Sequence, residues 1–117
     1  MAVKRIARVI RLAPGAEEEY RRLHDAVWPG VLARIADSEI TNFTIFLHGD
    51  LLFSYLEYVG DDFERAQGLI SADPESQLWS DITSPLQRPI ETAGDGEWWA
   101  SMEEIFHFAG HVAGRAD

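Results

Sequence analysis

The 117-residue chain, 46% hydrophobic and 26% charged, has the composition of one soluble globular domain with a sizeable core and no need of disorder. A formal charge of −10 sets its surface against phosphate backbones and anionic lipid, which excludes nucleic acid and membrane as expected partners. The lack of cysteine removes disulfides, thiolate catalysis and thiolate metal sites; with arginines at 5, 8 and 11 interrupting any apolar leader, a cytoplasmic protein is expected.

In "RIARVIRL" apolar residues recur at every second position, Ile6, Ile10 and Leu12 on one side and Ala7 and Val9 on the other, which predicts a strand. "APG" at 13–15 breaks it. Glu17, Glu18 and Glu19 then suit a helix N-terminus, where the aligned peptide dipoles favour negative charge. This helix is expected to continue through "YRRLHDAVWPGVLARI", bent at Pro29 but with its phase kept. "ITNFTIFLHGDLLFSYLEYV" predicts two strands joined at Gly49-Asp50, a pair suited to a tight hairpin turn. In "GDDFERAQGLISADPESQLWSDI", Asp61 or Asp62 can cap one short helix, and Asp73, with Pro74 at the first helical position, can begin another. "TSPLQRPIETAGDGEWW" reads as a long irregular connection, "MEEIFHFAG" as a closing strand, and "HVAGRAD" as a loose tail. No internal repeat is present. The expected organisation is a single domain over 1–109 with a flexible tail over 110–117.

The order β, α, β, β, α, β is the ferredoxin-like arrangement, an α+β fold with a four-stranded antiparallel sheet and helices on one face. The other face carries large apolar residues that need cover, so a sheet-to-sheet homodimer of the dimeric α/β-barrel type is expected.

On a helical wheel with Tyr20 at zero, His24 falls about 40° away, Val27 near −20°, Val31 near 20° and Ile35 near 60°. Arg21, Arg22, Glu18 and Asp25 lie on the other side. The phenol and the imidazole therefore point at the sheet, a placement open to two roles. One is packed core with satisfied polar tips. The other is general acid or base chemistry, for which an imidazole that titrates near neutrality, held against a phenol, is suited. Spacing alone does not choose between them. Trp98 and Trp99 fit a dimer interface as well as a pocket lid, His107 reads as structural, His48 as solvated, and His111 falls in the tail. No Gly-rich phosphate loop or His-x-x-His spacing is present, so neither metal nor cofactor is expected.

The stretches "LAPGAEEEYRRLHDAVWPGVL", "ITNFTIFL", "LLFSYLEYVGDDF", "ADPESQLW" and "GEWWASMEEIFHF" together resemble the L-rhamnose mutarotase family over about residues 4–108, most specifically through E-E-Y-x-x-x-H-x-x-x-W-P. The resemblance implies a dimeric ferredoxin-like fold and a cofactor-free enzyme that interconverts the anomers of a deoxyhexose, a monosaccharide substrate. It also implies His24 as proton donor and Tyr20 as a substrate contact. Two positions depart from the family: Asn42-Phe43-Thr44-Ile45 stands where an N-Y-x-I pattern is usual, and Trp79-Ser80 where a Trp-Trp pair is usual. Both fall at positions that contact sugar in the family. A pocket that loses one hydrogen-bonding group changes its preferred sugar more readily than it loses proton transfer. L-Rhamnose is therefore the first expected substrate, with L-fucose or a related aldose next. Phe43 and Trp79 are candidates to offer apolar faces to the ring and its 6-methyl group, or simply to fill the core. The base that takes the O1 proton is not identified; Glu103 and Glu104 are candidates. The competing reading is a non-catalytic or oxygen-handling member of the dimeric α/β-barrel folds.

Overall fold

A computed structural model describes residues 3–110, so the expected tail, with His111, lies outside the described residues except for its first residue, Gly110. The first strand, β1 (Lys4–Leu12), is followed by helices α1 (Glu17–His24) and α2 (Pro29–Asp37). The hairpin consists of β2 (Ile40–His48) and β3 (Leu51–Tyr58), turning at Gly49-Asp50 with Gly49 at φ 61°, the left-handed region that glycine reaches without strain. Helices α3 (Phe63–Ala72) and α4 (Pro74–Thr83) come next, then a 3-10 turn (Ser84–Leu86), β4 (Gln87–Arg88) and β5 (Ala100–Met102).

The sheet is antiparallel in the order β2, β3, β1, with β4 and β5 both paired to the remaining edge of β1. β4 lies against Arg11 and Leu12, and β5 against Ala7, Arg8 and Val9. The two short strands thus share the position of one fourth strand, interrupted by residues 89–99, and the sheet keeps its ferredoxin-like order. Three local expectations need correction. Pro29 does not bend one long helix but starts a second. Proline suits the first helical position because it has no N–H to leave unpaired, and it forces Trp28 into extended backbone at ψ 135°. The closing strand lies at 100–102 rather than across 102–110, and residues 103–109 are exposed and without regular structure. The connection over 83–99 is not wholly irregular, since it holds the 3-10 turn and β4.

Both later helices begin as their caps dictate. The Asp62 carboxylate accepts from the Arg65 N–H at 3.1 Å, and Asp73 accepts from the N–H and hydroxyl of Ser76 at 3.0 and 2.9 Å. Alternation along β1 and β3 turns Ile6, Ile10, Leu12, Leu52 and Leu56 toward the helices. Ile10, Leu12, Ala13, Ala16, Tyr20 and Leu52 form one buried cluster; Ile40, Leu56, Tyr58 and Ala66 form a second. Between them β2 bulges at Asn42 and Phe43, two residues set against one of β3, with Asn42 at φ 50°. On the opposite face the cross-strand row runs from buried Val9 through part-buried Phe53 to Phe46, which is largely exposed.

Candidate functional site

Helix α1 is two turns long; Tyr20 and His24, four apart, face the sheet, while Glu17 and Arg21 are exposed and border the cleft. Where it approaches the sheet it leaves a cleft of about 330 Å³, floored by Leu12, Leu52, Ile45 and Leu47 and walled by Tyr20 and His24. That volume lies at the small end of the roughly 300–1,000 Å³ range of small-molecule clefts.

His24 is the last residue of α1, and its ring is fixed from two sides. Nδ1 lies 2.8 Å from the carbonyl oxygen of Tyr20. A carbonyl can only accept, so Nδ1 carries the proton and donates it. Nε2 is therefore the nitrogen that takes up or releases a proton, and among the described residues it has no hydrogen-bond partner. The imidazole also stacks on the Tyr20 ring, centroids 4.3 Å apart and planes 23° apart, while Trp79 of α4 meets it edge-on at 5.4 Å. Trp28, in the break before α2, meets Trp79 edge-on at 5.3 Å. The break at Pro29 thus places a fourth ring behind the histidine.

Tyr20 is 5% exposed, and its hydroxyl accepts from Gln87 Nε2 at 3.0 Å. Burial pushes the phenol pKa up and the Gln87 bond partly offsets this, so the group stays a neutral phenol at physiological pH. Gln87, also 5% exposed, accepts the Trp98 indole N–H on Oε1 at 2.7 Å. Trp99 packs on the core cluster that contains Tyr20.

Three of the four residues singled out in the sequence, Tyr20, His24 and Trp79, are in contact. Phe43 does not join them. It sits at the β2 bulge, 45% exposed, and is absent from the cleft wall, although Ile45 two residues along the strand lines it. Ser80 turns its hydroxyl to Ser84 at 3.3 Å. Glu104 is held by the guanidinium of Arg5, which belongs to the sheet face away from α1, and Glu103 is exposed; neither approaches His24 in the protomer. The carboxylate that does line the cleft is Glu17, which accepts from Arg21 Nε at 2.9 Å. Among the described residues no three His, Asp or Glu side chains converge as a metal site would require. Gln87 was missed because it lies in a Pro- and Thr-rich stretch 67 residues from Tyr20, with no local pattern to mark it. Glu17 was legible: it is one helical turn before Tyr20.

Comparison with known proteins shows the family of the chain. The family model described as L-rhamnose mutarotase matches residues 5–108. An L-rhamnose mutarotase of Listeria monocytogenes is 39% identical over 109 residues, covering 92% of this chain and 100% of that protein. An L-fucose mutarotase of Xanthomonas campestris is 30% identical over 112 residues, covering 91% and 89%. The crystal structure of an L-rhamnose mutarotase from Formosa agariphila superposes with a TM-score of 0.70 at 19% identity, covering 90% of this chain and 98% of that one, a likeness of fold.

Proposed function

The chain belongs to the L-rhamnose mutarotase family, and from that premise we propose that it is a cytoplasmic, cofactor-independent isomerase that interconverts the α and β anomers of a 6-deoxyhexose, L-rhamnose first. The observation that carries this reading is the hydrogen bond from His24 Nδ1 to the Tyr20 carbonyl, which reserves Nε2 for proton transfer in a cleft of monosaccharide scale.

Mutarotation moves two protons and no electrons. An acid protonates the ring oxygen while a base removes the proton from the anomeric hydroxyl; the C1–O5 bond breaks and C1 becomes an aldehyde. Rotation about C1–C2 presents the other carbonyl face to the O5 hydroxyl, and reclosure returns both protons. His24 is the acid, delivering its Nε2 proton to the ring oxygen, a contribution of about 10²- to 10⁴-fold. The stack on Tyr20 and the edge of Trp79 hold the imidazole plane, so little reorganisation separates the bound sugar from the transfer. Tyr20 and Trp79 are read as sugar contacts, Tyr20 through its hydroxyl and Trp79 through its apolar ring. Phe43, two residues from the cleft-lining Ile45, is read as a contact from the sheet side. The floor of Leu12, Leu52, Ile45 and Leu47 is suited to the C–H side and the methyl group of a 6-deoxy sugar.

The protein is further read as a homodimer. Phe46 on the open sheet face is exposed, and beyond β5 Ile105 and Phe106 stand 91% and 81% exposed, apolar surface that a second copy would cover.

The test is saturation-transfer or two-dimensional exchange proton NMR on the anomeric signals of L-rhamnose, L-fucose and other aldoses. Accelerated exchange is expected, strongest for a 6-deoxy sugar and reduced at least a hundredfold in His24→Ala. No acceleration with any sugar would sink the mutarotase reading. Undiminished exchange in His24→Ala would keep the activity and remove His24 as the acid. L-Fucose outpacing L-rhamnose would reassign the substrate within the family.

A further inference from the structure

We propose that Gln87 and Trp98 set the direction of the Tyr20 hydroxyl, making it a hydrogen-bond donor to the sugar; the inference rests on the mutarotase reading for its ligand and on geometry for the rest.

An indole N–H donates and cannot accept. Trp98 Nε1 lies 2.7 Å from one end of the Gln87 amide, so that end must be the carbonyl oxygen; the reverse orientation would set an N–H against an N–H. The other end, 3.0 Å from the Tyr20 oxygen, is then Nε2, and it must donate. The phenol oxygen therefore accepts within the protein. Its own proton has no acceptor among the described residues, and the side chain forms part of the cleft wall. That proton is left for a ligand oxygen. One indole N–H thus determines, through an amide, the polarity of a hydroxyl in the cleft.

The relay joins three elements. Tyr20 is on α1. Gln87 is on β4, held opposite Leu12 of β1. Trp98 is at the end of the irregular stretch 89–99, whose turn is fixed by the Glu97 carboxylate accepting from the Gly94 N–H at 2.8 Å and the Ser101 hydroxyl at 2.9 Å. Residues 89–99 therefore act on the site through Trp98 without lining it. Gln87 is a positioning residue. It is not among the residues that line the cleft, so a variant at 87 is expected to affect the reaction through Tyr20.

A thermodynamic cycle on exchange rates tests this. In the wild-type background Gln87→Leu is expected to lower kcat/KM several-fold, and Tyr20→Phe about tenfold, as loss of one well-placed hydrogen bond does. In the Tyr20→Phe background Gln87→Leu should have no further effect, because the group it orients is gone. Trp98→Phe keeps a ring but removes the N–H, lets the amide turn over, and should give a smaller loss that also vanishes with Tyr20→Phe. Circular dichroism on each variant establishes that it is folded, and Trp98→Phe serves if Gln87→Leu does not fold. Losses that add across the cycle would overturn the proposal. An activity-independent readout is the Trp98 indole ¹H–¹⁵N resonance. Tyr20→Phe should shift it through the intervening amide, and an unmoved resonance would overturn the relay. If the wild type exchanges no sugar, the mutarotase reading fails while this resonance still decides whether the relay exists.

Discussion

Tyr20→Phe offers a quantitative check on the buried polar pair, separate from any activity. The substitution removes one oxygen and creates almost no cavity, but it leaves Gln87 Nε2 without its acceptor at a residue 5% exposed. Trp98 still holds Oε1, so the amide cannot simply turn over to recover a partner. A buried donor left unsatisfied costs roughly 1–3 kcal/mol. Unfolding entropies of about 2.1 cal/mol/K per residue give, for the 117 residues of this chain, about 0.25 kcal/mol per degree. The expected fall in Tm is therefore about 4–12 °C. Adding Gln87→Leu should restore most of it, since replacing both partners with apolar groups of similar shape is close to neutral. The released Trp98 N–H belongs to a half-exposed residue that water can reach. Thermal and urea melts of the wild type, the two single variants and the double variant, read by far-UV circular dichroism, measure the cycle. A Tyr20→Phe protein as stable as wild type, or a double variant that has lost the sum of both single effects, would refute the reasoning.

Ile10→Ala removes a side chain that is 0% exposed at the centre of the core cluster beneath Tyr20, and should cost about 2–5 kcal/mol in a urea melt; a loss under about 1 kcal/mol would mean that the cluster is not closely packed. Hydrogen bonding from Ser76 holds the Asp73 carboxyl below its ordinary pKa, and bonds from Asn42 and Tyr55 do the same for Glu57. Groups whose folded pKa is depressed stabilise the protein above their unfolded pKa, about 4, so the stability they give should be lost as pH falls below about 4.5. Tm measured from pH 7 to 3 should show this decline, less steeply in Asp73→Ala, and an identical slope in that variant would remove Asp73 from the account. Phe46→Asp places a charge on the open sheet face; light scattering after size exclusion should find a dimer for the wild type and a shift toward monomer for the variant, and a monomeric wild type would refute the homodimer.

What could be read from the sequence is what is decided within one or two turns of chain. The Gly49-Asp50 turn was legible because only a left-handed residue closes so short a hairpin, and the starts of α3 and α4 because Asp62 and Asp73 bond N–H groups three residues ahead. The inward direction of Tyr20 and His24 needed only the helical period. The status of Pro29 did not reduce to such a rule: a bend and a restart share one sequence, and the aromatic contacts that hold Trp28 against Trp79 come from α4. The closing strand failed similarly. Residues 102–110 alternate, but β1 pairs with Ala100–Met102, a choice made by a strand some ninety residues earlier. The two departures from the family pattern now differ in kind from the residues that match it. His24 meets Tyr20 and Trp79, whereas Ser80 faces Ser84, one residue and about 100° further round α4, and Phe43 stands at a bulge outside the cleft wall. Neither substitution touches the imidazole or the carbonyl that fixes its tautomer. On the proposed mechanism a change at these positions is expected to leave the proton transfer in place, so the test of this site compares sugars as well as rates.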